Sequence, residues 1–427
     1  MLVGLEWKRA QRKAGAVQNS AARTEESLDE LVELARSAGA EVVDRLIQAR
    51  DAPDAATLIG QGKVEELAAA VATWSADVVI FDHDLSPTQQ RNLEKALDSK
   101  VIDRTQLILD IFAARARTRE GRLQVELAQL NYLRPRLSGH GVEMSRLGGG
   151  IGTRGPGETK LETDRRRISV RIKKVEDDLE GVRNGRALHR RRRGAVPLAT
   201  IALAGYTNAG KSTLFNRLTS SGVLADARMF ATLDPTVRPL ILPSRRRVLA
   251  SDTVGFIRNL PTTLVKAFRA TLEEVTEAAL ILHVVDGSSP AAAEHVAHVT
   301  SVLAEIGASA IPHILVINKL DRLSPDDGDI ETMRRRLMSS AGSHPETHAV
   351  AISALSGEGI DRLLELVDTV LPMDPVVHAT LRLPAGDGAT LALLHEFGRV
   401  LSSRYEGDFC EVEAEIPESL KRRLPAF

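Results

Sequence analysis

The stretch Gly-Tyr-Thr-Asn-Ala-Gly-Lys-Ser at residues 205–212 decides the fold. It follows an apolar run that predicts a strand, precedes a predicted helix, and matches the pattern GxxxxGK[ST], whose backbone N–H groups surround phosphates. We expect Lys211 to reach the β and γ phosphates of a nucleotide and Ser212 to ligate Mg²⁺. A glycine-rich turn before an ordinary amphipathic helix is the alternative. The residues of this predicted phosphate loop are Gly205, Tyr206, Thr207, Asn208, Ala209, Gly210, Lys211 and Ser212.

A second motif ends another apolar strand, 41 residues beyond Lys211. Its residues are Asp252, Thr253, Val254 and Gly255. At this position we expect Asp252 to hold Mg²⁺ through water and the N–H of Gly255 to face the γ phosphate. Lys211, Gly255 and Asn208 are therefore the candidate catalytic residues.

A third motif and a fourth predict that the base is guanine. They consist of Asn318, Lys319, Leu320, Asp321, and of Ser353, Ala354 and Leu355, and each follows a predicted strand. The Asp321 carboxylate offers two acceptors to N1–H and N2–H₂ of guanine, a pair of donors that adenine lacks. We expect the N–H of Ala354 to reach O6 and Lys319 to pack across the base. Since a hydrogen bond to a charged group contributes about 1.5–3 kcal/mol, guanine should be preferred by orders of magnitude. With the phosphate loop, these motifs predict a GTPase.

The segment between the phosphate loop and Asp252 lies where a nucleotide-sensing loop belongs. Its predicted nucleotide contacts are Phe230, Ala231, Thr232, Leu233 and Asp234. Either Thr232 or Thr236 could supply the second Mg²⁺ hydroxyl. A surface loop with ordinary threonines is the alternative interpretation.

One position departs from the Ras-like scheme. Phe256 follows Gly255, where a glutamine would orient the attacking water. We therefore expect slow intrinsic hydrolysis that a partner or a cation accelerates. Asn208 could hold K⁺ between the β and γ phosphates, although a local cap of the loop is the alternative. Arg228 could act in cis, but a solvated charge is the favoured interpretation.

Composition predicts a multidomain globular protein. The 427 residues are 43% hydrophobic and 26% charged, and the net charge of −1 excludes a globally basic nucleic-acid binder. The single cysteine excludes an intrachain disulfide and suits a reducing cytosol. No apolar run is long enough to predict a transmembrane helix or a signal peptide. The predicted parts are a flexible tail (1–24), an α/β subdomain (25–112), a basic helical hairpin with linker (113–196), a GTPase domain with a mostly parallel sheet (197–372) and a small C-terminal α/β domain (373–427).

The predicted hairpin carries two heptad seams and a local positive charge. One seam runs through Leu123, Leu127, Leu130 and Leu137, the other through Ile168, Ile172, Val175, Leu179 and Val182. Residues 160–193 contain 13 Lys and Arg against 6 Asp and Glu, a net charge of +7. Such a cationic rod suits the phosphate backbone of RNA; a solvated face of paired charges is the alternative. The tip, with eight glycines over 138–160, contains a formal GxGxxG, but no strand precedes it, which argues against a dinucleotide site.

These motifs together resemble the HflX-type ribosome-associated GTPases. The resemblance lies in the segments GYTNAGKS (205–212), FATLDPT (230–236), DTVGFI (252–257), NKLD (318–321), SAL (353–355), GTRGPGETKLETDRRRI (152–168) and IFAARARTREGRLQVELAQLNYLRPRL (111–137). It covers about residues 25–372 and includes the hydrophobic residue in place of glutamine. The sequence departs from the family pattern before Glu25, where we find no apolar first strand.

The resemblance implies a function and a partner. It implies binding to the large ribosomal subunit, rRNA contact through residues 113–196, and splitting of stalled or idle 70S ribosomes. It also favours Thr232 over Thr236 as the Mg²⁺ ligand beside Ser212. Nothing in the sequence suggests more than a cytoplasmic monomer. A ribosome-biogenesis or hibernation GTPase, or a switch that serves a protein partner, remains the alternative.

Overall fold

The computed structural model describes residues 1–7, 19–137, 156–193, 198–219, 229–230, 235–258, 274–323, 329–341, 348–371, 374–422 and 424. The chain divides into two compact units. One is formed by residues 1–179, 224–234 and 254–272, and the other by residues 180–223, 235–253 and 273–427. None of the described helices is long and apolar enough to cross a membrane.

The first unit is built on a parallel sheet of four strands. These are β1 (Leu2–Trp7), β2 (Arg45–Arg50), β3 (Val78–Phe81) and β4 (Lys100–Asp103), in the order β2-β1-β3-β4. The helices that accompany them are α1 (Asn19–Ser37), α2 (Gln61–Trp74), α3 (Pro87–Leu97) and α4 (Arg104–Arg115). Local sequence fixes the start of α3, because Ser86 and Gln89 form a reciprocal capping box and proline occupies the first turn. The predicted α/β fold of this part of the chain is confirmed.

The expectation of a flexible tail without a first strand is wrong for residues 2–7. They form β1, a central strand of the sheet that pairs with both β2 and β3. Leu2, Val3 and Leu5 are buried, as a strand covered on both faces requires. A Cβ on Gly4 would lie 2.9 Å from Leu28, so glycine lets α1 pack closely on this strand. Helix α1 already begins at Asn19, while residues 8–18 lie outside the described part.

Two long helices follow, α5 (Arg119–Arg136) and α6 (Pro156–Arg193). Arg171 binds Glu126 through two hydrogen bonds of 2.5 and 2.8 Å, and Arg119 lies 3.7 Å from Asp178. The earlier residue of α5, Arg119, is paired with the later residue of α6, Asp178, and the later Glu126 with the earlier Arg171. The two helices therefore run antiparallel, as predicted. Residues 138–155 of the predicted glycine-rich tip (138–160) and the linker residues 194–197 lie outside the described residues, whereas residues 156–160 belong to α6.

The heptad prediction holds for one helix and fails in part for the other. In α6 the seam residues Ile172, Val175 and Leu179 are buried. In α5 the buried residues are instead Glu120, Gly121, Gln124, Val125, Ala128 and Tyr132, and the predicted leucines at 123, 127 and 130 are half-buried. Helix α5 also packs against α4, so its most buried face is the one that the heptad did not predict.

The second unit contains a six-stranded sheet that surrounds the phosphate loop. Its strands are β5 (Thr200–Gly205), β6 (Thr236–Ile241), β7 (Arg247–Asp252), β8 (Leu280–Asp286), β9 (His313–Asn318) and β10 (His348–Ala351), in the order β10-β9-β8-β5-β7-β6. All neighbours are parallel except β6 and β7. Its helices are α7 (Lys211–Thr219), α8 (Ala292–Glu305), α9 (Ile330–Ser340) and α10 (Ile360–Val370). The predicted mostly parallel GTPase sheet is confirmed.

A small antiparallel sheet ends the chain. Its strands are β11 (Val376–Pro384), β12 (Arg399–Glu406) and β13 (Phe409–Pro417), with β13 in the centre, and its helices are α11 (Gly388–Phe397) and α12 (Glu418–Lys421). Within the predicted C-terminal domain, the sequence pattern predicts a strand at 380–383 and a helix at 389–401, and both elements are present. The prediction that this helix reaches Leu401 is wrong, because it ends at Phe397 and residues 399–406 pair with β13 instead.

Candidate functional site

The phosphate loop connects the end of β5 to the start of α7, as the sequence predicts. Gly205 has φ +154°, and a Cβ there would lie 2.1 Å from the carbonyl oxygen of Val284 on the neighbouring strand. Gly210 has φ +92°, and its Cβ would lie 2.2 Å from Nδ2 of Asn318. Both positions therefore require glycine. Asn208 also has a positive φ of 60°, which asparagine tolerates better than most residues, and its side chain is exposed.

Lys211, the first residue of α7, has a buried side chain that contacts the backbone of the phosphate loop. Its Nζ donates hydrogen bonds to the carbonyls of Gly205 at 3.0 Å and Tyr206 at 2.8 Å. Burial lowers the pKa of Lys211 to about 8, and the nearby Asp252 carboxylate offsets part of this shift. The ammonium group thus donates to carbonyl oxygens of the loop, and an arriving phosphate would offer it stronger, charged acceptors.

Ser212 and Asp252 lie together, as predicted for a shared metal site. The Ser212 hydroxyl donates to Oδ2 of Asp252 at 2.7 Å, and the aspartate is fully buried at the end of β7. The next residue, Thr253, donates its hydroxyl to the carbonyl of Leu203 at 2.5 Å. That bond fixes the end of β7 against β5, so the carboxylate is held beside the start of α7.

The residues predicted to bind guanine are brought together at the ends of β9 and β10. Asn318 donates from Nδ2 to the carbonyl of Ala209 at 2.8 Å and accepts from the N–H of Ala354 at 2.9 Å. Ser353 donates its hydroxyl to Oδ1 of Asp321 at 2.5 Å. The N–H of Ala354, which we expect to reach O6 of guanine, is thus already used by Asn318 in this structure.

Two further residues support this base site and were not predicted. Asp286 at the end of β8 accepts from Nζ of Lys319 at 2.6 Å. Arg217 on α7 donates to the carbonyl of Ala354 at 3.3 Å and also to that of Leu355. The position of Asp286 at the end of an apolar strand is a weak sequence signal that could have indicated a role in the site. No sequence signal pointed to Arg217, whose partner Ala354 lies 137 residues later in the chain.

The predicted nucleotide-sensing segments are described only in part. Residues 229–230 and 254–258 belong to the first unit, whereas Thr236, the first residue of β6, belongs to the second. Phe230 is buried, and its ring meets that of Phe112 edge-on with centroids 4.5 Å apart. Beside it, the N–H of Met229 donates to the hydroxyl of Ser37 at 3.0 Å. The Phe230 ring is therefore used in packing within the first unit. Residues 231–234, with Thr232, and Arg228 lie outside the described residues.

The second sensing segment begins after Thr253. Gly255 is half-buried, and Phe256 and Ile257 are buried. The Phe256 ring is therefore buried, and no amide stands at that position to orient a water molecule. Arg258 then lies 3.3 Å from the carboxylate of Glu26 on α1. Residues 259–273 lie outside the described part of the chain.

Comparison with known families assigns three consecutive regions. Residues 25–113 match the family described as GTP-binding GTPase N-terminal, residues 115–193 the GTP-binding GTPase middle region, and residues 200–319 the 50S ribosome-binding GTPase. The last of these contains the phosphate loop, Asp252 and Asn318.

Individual relatives extend over nearly the whole chain. The GTPase HflX of Caldanaerobacter subterraneus subsp. tengcongensis is 47% identical over 408 residues, which cover 96% of this chain and 91% of that protein. The GTPase HflX of Escherichia coli is 44% identical over 400 residues, which cover 94% of this chain and 90% of that protein. Among solved structures, a GTP-binding protein from the archaeon Sulfolobus solfataricus in complex with GDP is 22% identical, with a TM-score of 0.45, over 87% of this chain and 98% of that chain.

Proposed function

The chain belongs to the HflX family of GTPases, and from this premise we propose that it binds the large ribosomal subunit and splits stalled or idle 70S ribosomes. It hydrolyses GTP to GDP and phosphate, and in the proposed cycle this hydrolysis resets the protein. The expected location is the cytoplasm, where such ribosomes are found, and the expected form is a monomer.

The observation that carries the proposal is the charge on helix α6. Its seam residues Ile172, Val175 and Leu179 are buried, whereas Arg166, Lys173 and Lys174 are exposed. Residues 160–193 have a net charge of +7 in a chain whose total is −1. A long helix that concentrates positive charge suits the phosphate backbone of rRNA, which proteins recognise by shape and charge. We propose that the basic hairpin at 113–196 enters the large subunit near its contacts with the small subunit.

The proposed cycle needs Mg²⁺, and the residues present fit that ion. The Ser212 hydroxyl and the Asp252 carboxylate, 2.7 Å apart, are oxygen donors of the kind that Mg²⁺ prefers. We propose that Ser212 and Thr232 ligate the ion directly and that Asp252 holds it through water. When bound, Mg²⁺ neutralises charge on the β and γ phosphate oxygens. K⁺ beside Asn208 is a further proposed cofactor, since that side chain is exposed in the phosphate loop.

The role proposed for GTP is to favour the docked conformation. Thr232 and Gly255 lie within the two segments expected to respond to the γ phosphate. Because Phe256 stands where a glutamine would orient water, we propose that intrinsic hydrolysis is slow and that the ribosome accelerates it. Hydrolysis then weakens binding and releases the protein.

Sedimentation with ribosomes tests the proposal. Purified protein is pelleted with 70S ribosomes and with isolated subunits, in a non-hydrolysable GTP analogue or in GDP, and the 70S fraction is followed on sucrose gradients. We expect binding to the large subunit with the analogue, loss of binding with GDP, and a fall in 70S. Binding without a fall in 70S would favour a biogenesis or hibernation role. Absence of binding in both nucleotide states would overturn the proposal.

A charge-reversal variant tests whether α6 is the contact. Changing Arg166, Lys173 and Lys174 to Glu should abolish ribosome binding while GTP hydrolysis without ribosomes is kept. The matched control reverses three exposed cations of the C-terminal sheet region, Arg399, Arg404 and Lys421. If both triple variants bind equally well, the proposed role of the helix is wrong.

A further inference from the structure

A side chain of the phosphate loop is held by a helix that the four nucleotide-binding motifs do not include. The ring of Tyr206 stacks on the imidazole of His295, with centroids 3.9 Å apart and planes 11° from parallel. His298, one turn along α8, meets the same ring edge-on at 6.3 Å. Tyr206 is only 5% exposed, so its ring position is fixed by these neighbours. Stacked rings of this geometry add to the energy of simple burial.

The backbone of Tyr206 is part of the phosphate site. Its carbonyl accepts the 2.8 Å bond from Lys211 and a 3.3 Å bond from the N–H of Ala209. The residue that α8 holds by its ring therefore also shapes the turn and receives the ammonium group. Displacement of this ring would shift the carbonyl and, with it, the loop N–H groups that face the phosphates.

The stack holds a residue of the loop that lies between two other anchors. The β5 end of the loop is fixed by the parallel pairing of Gly205 with Val284 on β8. The α7 end is fixed by Asn318, which holds the carbonyl of Ala209. Tyr206 lies between these two anchors, and His295 is its flat neighbour from outside the loop.

We propose that His295 is a positioning residue for the GTPase reaction, which acts through Tyr206 to keep the phosphate loop in the shape that binds nucleotide. The loop N–H groups contact phosphates in GDP, in GTP and in the transition state alike. Loss of the stack should therefore weaken all three states equally, which raises KM and leaves kcat unchanged. The proposal concerns nucleotide binding alone and does not depend on ribosome splitting.

Four variants test the stack: His295→Ala, His295→Leu, His295→Phe and Tyr206→Leu. The measurements are the dissociation constants of fluorescent GDP and GTP analogues, with steady-state kcat and KM. In His295→Ala and His295→Leu we expect both constants and KM to rise by roughly 2- to 12-fold, the range that one stacked pair accounts for, with kcat unchanged. His295→Phe keeps a flat ring and should bind nucleotide as the parent does.

The controls separate positioning from general packing. Ser301→Ala changes an exposed residue of the same helix and should leave binding unchanged. The double variant His295→Ala/Tyr206→Leu should lose no more affinity than Tyr206→Leu alone, since both changes remove the same contact. Thermal unfolding of each variant identifies any that fail to fold. Equal affinity in His295→Leu and His295→Phe, or additive losses in the double variant, would overturn the proposal.

Discussion

The side-chain amide of Asn318 joins the base site to the phosphate site, because its nitrogen donates to the carbonyl of Ala209 at 2.8 Å. The oxygen of the same amide accepts from the N–H of Ala354 at 2.9 Å. One buried side chain thus links the phosphate loop, strand β9 and the loop after β10. A substitution at Asn318 should therefore affect both the phosphate site and the base site.

We expect Asn318→Ala to weaken GDP and GTP binding by roughly 10- to 100-fold and to lower the thermal midpoint. The substitution leaves a buried carbonyl and a buried N–H without their partner, each at a cost of about 1–3 kcal/mol. Titration with a fluorescent GDP analogue and thermal unfolding measure the two effects. Asn92→Ala is the matched control, since it also removes a side-chain bond to a backbone carbonyl, in an exposed position of α3. Equal nucleotide affinity in both variants would contradict the prediction.

The sequence could predict the site wherever its chemistry lies within a short motif. Lys211, Ser212 and Asp252 come together as predicted, because a parallel sheet brings the carboxyl ends of its strands to one edge. The contacts of Tyr206 with His295 and of Arg217 with Ala354 could not be predicted. They join residues far apart in the chain, and in each pair one partner, His295 or Arg217, lies outside every motif.

Strands β1 and β6 were missed, each for its own physical reason. Strand β1, LVGLEW, is a short apolar run at the very start of the chain, and a single glutamate near its end obscures the pattern. Strand β6 contains Arg238 and Pro239, and this polar pair with a proline is more typical of a loop than of a strand. It occupies the edge of the sheet, where proline is tolerated because one side of the strand needs no hydrogen-bond donor.

The affinity for GTP should fall as pH rises above about 8. In the nucleotide-free protein, burial lowers the pKa of Lys211 to about 8, so above this pH the lysine is increasingly neutral. The phosphates require the charged form, and binding must then include the uptake of a proton. We expect roughly a tenfold loss of affinity between pH 7 and pH 9, measured by isothermal titration. Lys211→Ala should bind GTP weakly, and its affinity should not fall with pH in this range. If the affinity of this variant still falls with pH, the titrating group is not Lys211.

The same shift has the opposite effect on stability. An unfolded chain keeps the ordinary lysine pKa of 10.5, so between pH 8 and that value the unfolded state binds more protons at Lys211 than the folded state does. The free energy of unfolding of the nucleotide-free protein should therefore gain from this residue as pH rises through that window. Urea unfolding at pH 7.5 and 9.5, compared between the parent and Lys211→Met, isolates the contribution. If the free energy of unfolding decreases from pH 7.5 to 9.5 in the parent but not in Lys211→Met, the expected direction is wrong.

Base preference should change in Asp321→Asn. The carboxylate offers two acceptors to guanine, and an amide offers one acceptor and one donor, which suits the N1–H and O2 of xanthine. We expect GTP affinity to fall by roughly a hundredfold or more, since two charged hydrogen bonds are affected, and XTP to become the better ligand. Competition against a fluorescent GDP analogue measures the preference. Asp329→Asn, an exposed position without a side-chain cap bond, is the control and should leave the order of affinities unchanged.

The packing of Phe112 against Phe230 should be a main source of stability in the first unit. Phe112 is fully buried, and its ring meets that of Phe230 at 4.5 Å. Phe112→Ala should lower the free energy of unfolding of this unit by about 3–5 kcal/mol. Both tryptophans, Trp7 and Trp74, belong to the first unit, so tryptophan fluorescence in a urea titration reports its unfolding separately.

The control for this substitution is an equally apolar side chain in the same unit. Leu133 on α5 is 45% exposed, so Leu133→Ala should change stability by no more than about 0.5 kcal/mol. Because Phe230 lies two residues before Thr232, Phe112→Ala should also increase protease cleavage between residues 228 and 236, as the segment loses its aromatic anchor. If Phe112→Ala unfolds at the same urea concentration as Leu133→Ala, the aromatic contact does not hold this segment to the first unit.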